Sequence, residues 1–210
     1  MVLATPVQTA APASVVRDIL FTTPSLSSIV RLEMKSKRIF LDMDGVIVDW
    51  YGGAIKLART DHDVRAVVHR AFTDGLFCYD GRLDNMIENK GLAFWAELEP
   101  FPWTMTLVEA LKREVNAVVF LSNPSCYSQA YHGKQAWLEK HGFDPNALVV
   151  TRDKSQLVSH DPLSILVDDL QENVLKFEEK GGQAYLWDPR KNNGPDVCIK
   201  DVINFIKSHD

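Results

Sequence analysis

Residues 38–50 read RIFLDMDGVIVDW. Ile39, Phe40 and Leu41 are apolar without alternation, the pattern of a strand buried on both faces of a parallel sheet. The run ends on Asp42 and Asp44, with Gly45 next. Taking a carboxylate out of water at the end of a buried strand is costly. The two aspartates are therefore either wet turn residues, which Gly45 also suits, or groups held together for chemistry.

Four more apolar runs follow, bounded by turn residues: 116–123 (NAVVFLSN), 147–151 (ALVVT), 164–169 (SILVDD) and 183–188 (QAYLWD). Each is short and continuous in the manner of 38–44. Helical patterns lie between them. In 106–115 (TLVEALKREV), Leu107, Ala110, Leu111 and Val115 share a face. The segment 129–142 ends at Gly142 and 171–182 ends on Gly181-Gly182, both C-cap signals. Strand alternating with helix predicts an α/β fold: a doubly wound parallel sheet, Rossmann-like, with right-handed crossovers.

One segment departs from this rhythm. Between the first two strands, residues 52–99 hold helical stretches at Ala54–Arg59, Asp63–Phe72 and Asp84–Ala96 and no buried strand. A crossover needs far less chain. The expected organisation is a core formed by 38–51 and 100–210, with 52–99 inserted as a small helical cap. Residues 1–37, rich in Ala, Thr, Ser, Pro and Val, form an N-terminal arm with a short helix near Ser14–Leu20. The arm lacks a basic stretch followed by an apolar one, which argues against a secretory signal. Its Arg17, Arg31 and Lys35 leave organelle targeting open.

Composition bounds the function. A net charge of -5 among 210 residues argues against a sequence-independent grip on nucleic acid. Cys78, Cys126 and Cys198 are far apart and odd in number, which excludes a disulfide framework and a thiolate zinc site and suits a reducing, cytoplasmic setting. The six histidines show no paired metal-ligand spacing. No apolar run approaches the roughly 20 residues of a membrane span.

In doubly wound sheets, ligands bind beyond the carboxyl ends of the strands. Here those ends carry Asp42 and Asp44, then Ser122 and Asn123, then Arg152 and Lys154, then Asp168 and Asp169. Each has a modest reading alone: solvated turns, a turn before Pro124, or helix N-caps before Gln171. Together they put four carboxylates on one edge, where they repel each other unless a hard divalent cation sits among them. Magnesium asks for few carboxylates, water and a phosphate oxygen. Ser122, Asn123 and Lys154 are donors that a phosphoryl group would need.

The set DxDGV, Ser-Asn, Lys and Asp-Asp, in this order at strand ends, resembles the haloacid-dehalogenase-like phosphatase superfamily. Residues 42–53 (DMDGVIVDWYGG), 94–102 (FWAELEPFP), 131–143 (YHGKQAWLEKHGF) and 150–154 (VTRDK) look like the 5'(3')-deoxyribonucleotidase family. The resemblance spans about Arg38 to Arg190. It implies an aspartyl-phosphate mechanism with Asp42 as nucleophile and Asp44 as general acid and base. It implies Mg2+ on Asp42, the Asp44 carbonyl and the Asp168/Asp169 pair, without saying which of the pair binds directly. Ser122, Asn123 and Lys154 would hold the phosphate. Trp50, Phe94 and Trp95 would line a base pocket, with Phe77 and Tyr79 further candidates, and Lys134 and Arg152 would be second phosphate anchors. For Phe94 and Trp95 a place in the core is an equal reading.

The implied activity is hydrolysis of a small phosphate ester, a deoxy- or ribonucleoside monophosphate. The alternatives are another small phosphomonoester and a nucleic-acid end phosphate. Asn123 in place of Ser, Trp103 in place of a small residue, and extra residues between Lys154 and Asp168 depart from the family pattern. Whether the chain acts alone or as a homodimer is left open by the sequence.

Overall fold

The computed structural model describes residues 37–74, 81–124 and 127–209, with side chains in the second helix to Arg70. The expected arm helix near Ser14–Leu20 and the candidates Phe77 and Tyr79 lie outside the described residues.

The five apolar runs form five strands: β1 (Arg38–Asp42), β2 (Ala117–Ser122), β3 (Leu148–Val150), β4 (Ile165–Asp168) and β5 (Gln183–Leu186). All pair in parallel, in the order β3-β2-β1-β4-β5. Side chains alternate across the sheet. Ile39, Leu41, Ile165 and Val167 enter one apolar cluster, while Phe40, Leu121 and Leu166 enter the other with Val174 and Phe177. Both faces are thus covered, which explains why the runs carry no polar alternation. Fully burying each such side chain contributes about 1.5–3 kcal/mol.

The helices are α1 (Trp50–Leu57), α2 (His62–Asp74), α3 (Gly81–Lys90), α4 (Leu92–Ala96), α5 (Thr104–Glu114), α6 (Ala130–Lys140), α7 (Gln171–Glu179) and α8 (Pro195–Ser208). Four of them, α1 to α4, occupy the stretch where the sequence pattern expects an insertion. Ala54, Val64, Ile87, Phe94 and Trp95 from these helices join the same cluster as Ile39 and Leu41. Two of the boundaries that differ from the sequence reading have a clear local cause. Helix α1 begins at Trp50 because the Asp49 carboxylate caps it, accepting from the Gly52 amide at 2.8 Å. The single helix expected over 84–96 breaks at Gly91, whose φ of +61° suits a residue without a Cβ.

The topology decides where a ligand goes. From β1 the chain steps to β2 and β3 on one side, then crosses to β4 and β5 on the other. The crevice beyond β1 and β4 is the switch point of the sheet. Register places Asp42 opposite Leu121 and Leu41 opposite Val167, so Asp42, Ser122 and Asp168 reach the same edge within one residue of each other.

Candidate active site

Lys154 lies at the centre of that edge, at the start of a 3-10 turn over Lys154–Ser159. Its ammonium donates to Asp42 Oδ1 and, at 2.6 Å, to Asp168 Oδ2. All three side chains are buried. Asp168 Oδ1 accepts from the Leu170 amide at 2.9 Å and from Asn173 Nδ2 at 3.0 Å. Both oxygens of Asp168 are therefore occupied by protein donors. The N-cap residue of α7 is Leu170, without a side-chain cap bond, so Asp168 sits deeper than a helix-capping aspartate would.

Asp169 is held differently. Gly45, at φ +88°, lets the loop after β1 come so close that a Cβ there would stand 2.0 Å from Asp169 Oδ2. Asp169 Oδ1 is buried with no hydrogen-bond partner. Oxygens of Asp42, Asp168 and Asp169 all lie within 4.8 Å of one another. One ammonium cannot neutralise three carboxylates in a dry site. Burial accordingly pushes the Asp42 carboxyl well above the usual range; Lys154 pulls it back, and Asp168, Asp169 and Asp44 push it further up. Asp169 is pushed up to about 7, first by burial and then by the Asp168 charge, with Lys154 opposing. Burial works against the Lys154 ammonium, but Asp42 and Asp168 outweigh it and hold its pKa above the ordinary value. A trio of crowded carboxylates with an unpartnered buried oxygen fits a hard divalent cation.

This crowding sets a pH dependence. A carboxyl whose pKa is higher in the folded than in the unfolded chain favours folding at low pH, and that contribution is lost as the pH rises through the folded value. Without divalent ions, the melting temperature should fall by a few degrees between about pH 5 and pH 7.5. Added Mg2+ should restore it, with a larger upward shift at pH 7.5 than at pH 5, where it must displace protons. Calorimetry with MgCl2 or EDTA across that range checks this, and an ion effect independent of pH would contradict it.

Asp44 reaches the same crevice from the loop after β1, where Gly45 N bonds to Val48 O at 3.0 Å. The loop is fixed from outside. Phe101 N and Thr104 Oγ1 donate to Ile47 O, and the Trp103 indole donates to Val46 O at 2.9 Å. Trp103 also stacks on Phe101, with ring centroids 4.5 Å apart. The departure at position 103 is thus a clasp on the loop after β1. Asp44 Oδ2 accepts from the buried Lys134, and Asp44 Oδ1 is buried without a partner.

The remaining candidates are spread around this centre. Ser122 is buried, with its hydroxyl 3.3 Å from Asn123 O, while the Asn123 side chain is exposed. Thr151 N donates to Ser122 O and ties the ends of β2 and β3 together. Arg152 is exposed in an open groove of about 350 Å³ that Lys154, Asn173 and Lys180 also line. Trp50 is half-buried against the apolar cluster. Phe94 and Trp95 are 5% and 4% exposed and pack edge to face at 5.0 Å, so the structure places them in the core. Asn173, absent from the sequence expectations, is a second holder of Asp168. Its signal was a lone amide five residues after that aspartate, which is not distinctive.

Solved structures with this fold include a haloacid dehalogenase-like hydrolase of Xanthomonas campestris, at 13% identity and TM-score 0.51, covering 82% of this chain and 93% of that one. A HAD hydrolase of Bacillus subtilis solved bound to magnesium matches at 15% identity and TM-score 0.52, covering 81% and 98%. These likenesses define the fold class as that of the haloacid dehalogenase-like hydrolases. The model of the family "5' nucleotidase, deoxy (pyrimidine), cytosolic type C protein" matches residues 36–196, and the chain belongs to that family. The mitochondrial 5'(3')-deoxyribonucleotidase of Mus musculus is 31% identical over 152 residues, 66% of this chain and 67% of that protein. Its Homo sapiens counterpart is 30% identical over 148 residues, 64% of this chain and 63% of that protein. Among the described residues, no helix is long and apolar enough to cross a membrane.

Proposed function

We propose that the protein is a magnesium-dependent phosphomonoester hydrolase that dephosphorylates deoxy- or ribonucleoside monophosphates through an aspartyl-phosphate on Asp42. The observation that carries the reading is Lys154 bridging Asp42 and Asp168 at the switch point, with Asp169 against them. Family membership and two relatives described as deoxyribonucleotidases support the substrate class.

Asp42 attacks phosphorus in line, on a carboxylate that Lys154 aims through its bond to Oδ1. Asp44 gives a proton to the leaving oxygen and later takes one from the water that releases phosphate. Ser122, Asn123 and Lys154 hold the phosphoryl oxygens as charge builds on them, with Arg152 at the groove edge. Asp42, Asp169 and the Asp44 carbonyl would hold Mg2+, which supplies positive charge beside the phosphate when bound. Asp169 is preferred to Asp168 as direct ligand because protein donors already occupy both Asp168 oxygens. Helices α1 to α4 act as the cap that selects the substrate, with Trp50 facing the base. The matching family is described as cytosolic, in line with the cytoplasmic placement read from composition, while two relatives are described as mitochondrial, and residues 1–37 are where an organelle signal would lie.

Phosphate release from a panel of deoxy- and ribonucleoside 5'- and 3'-monophosphates, with sugar phosphates as controls, tests this. Turnover of nucleotides should require Mg2+ and vanish with EDTA. Efficient release from a sugar phosphate with none from any nucleotide would overturn the substrate assignment.

A further inference from the structure

Lys134 is the second buried lysine of the crevice, 4% exposed, and it comes from helix α6 rather than from a strand end. Its ammonium engages Asp44 Oδ2 and sits 4.9 Å from the centre of the Trp95 ring. Asp42 and Asp168 are served by Lys154 instead. The two cations thus divide the carboxylates between them. Asp44 is left with one oxygen held and the other, Oδ1, buried and unpartnered.

The support beneath Lys134 is rigid. At Gly133, a Cβ would stand 2.5 Å from Trp95 Cβ and 2.9 Å from Leu92 O, so α6 lies against α4 at backbone distance. The Trp137 indole donates to Leu98 O at 2.8 Å, and Gln129 Oε1 accepts from Leu92 N at 3.1 Å. Trp95 in turn packs on Phe94 and, at 5.8 Å, on Tyr127. A free lysine side chain samples many rotamers, and holding it in one costs entropy. A cation over an indole face, on a helix that cannot slide, has lost that freedom before substrate arrives.

We propose that Lys134 is a positioning residue for the proton-transfer step, fixing the orientation of the Asp44 carboxyl through Oδ2, with Trp95 holding Lys134. The proposal rests on the phosphatase reading above and deepens it. As the Asp42–phosphorus bond forms, the bond from phosphorus to the leaving oxygen breaks and its electron pair stays on that oxygen; Asp44, protonated when the ester is bound, gives its proton to that oxygen and is left as the carboxylate that Lys134 pairs with. A poor leaving group, such as the sugar alcohol of a nucleotide, depends on that proton. A good one, such as 4-nitrophenolate, departs without it. A lysine that merely anchors phosphate would serve both esters alike.

The test compares kcat/KM for a nucleoside monophosphate and for 4-nitrophenyl phosphate in Lys134→Met, Lys134→Gln and Trp95→Leu. General acid catalysis is worth about 10²–10⁴-fold. The lysine variants should therefore lose about 100-fold or more on the nucleotide and only a few-fold on the aryl ester. Trp95→Leu should show the same selective loss at about tenfold, through a loosened Lys134. Equal losses on both esters with a raised KM would overturn the role in favour of a phosphate anchor. No loss on either ester would overturn it outright. If Lys134→Met does not fold by circular dichroism, Trp95→Leu and Lys134→Gln still decide. A wild-type protein that turns over neither ester sinks the phosphatase reading itself, an outcome distinct from equal losses in an active enzyme.

Discussion

Asp42→Asn should abolish phosphate release, by on the order of 10⁴-fold or more, while leaving the chain folded and, without divalent ions, at least as stable as the parent. The activity loss follows from the proposed chemistry, since an amide cannot form the acyl-phosphate bond. The stability gain follows from the burial of this residue. Three carboxylates share one ammonium, and burial is the largest force raising the pKa of Asp42. An amide of the same shape removes one charge from that crowd and still offers an oxygen to Lys154. The melting temperature at pH 7.5 in EDTA should rise by a few degrees relative to wild type, and the stabilisation by Mg2+ should shrink. A variant that keeps measurable turnover would remove Asp42 from the nucleophile's role. One that melts well below the parent in EDTA would show that the carboxylate, not its neutral form, holds the cluster together.

The legible and illegible parts of this molecule divide by the range of the interactions that make them. Each strand was visible because a strand buried on both faces needs only a local run of apolar residues, such as Ile39-Phe40-Leu41 or Ile165-Leu166-Val167. The strand ends followed, and with them Asp42, Ser122, Lys154 and Asp168. Side chains that enter the crevice from helices gave no such local signal. Lys134 is separated from Asp44 by 90 positions and looks, in sequence, like any lysine in an amphipathic helix, so only the family resemblance marked it, and marked it for phosphate rather than for Asp44. Its spacing within 131–143 suits a solvated face as well as a buried one. The close approach of Gly45 to Asp169 was equally hidden, because Gly45 already had a sufficient reason in its turn. Phe94 and Trp95 were ambiguous for a physical reason: a large aromatic suits a core and a base pocket alike. Their burial settles where they lie, with Trp95 packed against Gly133. Trp103 shows the converse, where a residue that broke the expected pattern turned out to grip the loop after β1 through Val46 O.

Lys154→Met is the variant in which catalysis and stability should fail together. It leaves Asp42 and Asp168, 6% and 0% exposed, without the cation that both face. Removing one partner of a buried ion pair costs about 3–5 kcal/mol because the other charge stays behind. Protonation of Asp42 recovers part of this, since its carboxyl is already raised. Denaturant unfolding in EDTA at pH 7.5 should therefore show a loss of about 3 kcal/mol, smaller at pH 5. Activity should fall about 10³-fold for want of a charge on the transferring phosphoryl group. Two further measurements separate the effects. Combining Lys154→Met with Asp42→Asn should restore part of the stability and none of the activity, because the neutral amide no longer needs the lysine. Saturating Mg2+ should likewise recover stability in the single variant, since a bound cation can face the same carboxylates. A single variant as stable as wild type in EDTA would mean that Lys154 is not what makes this crowded edge tolerable, and the electrostatic account of the site would fall with it.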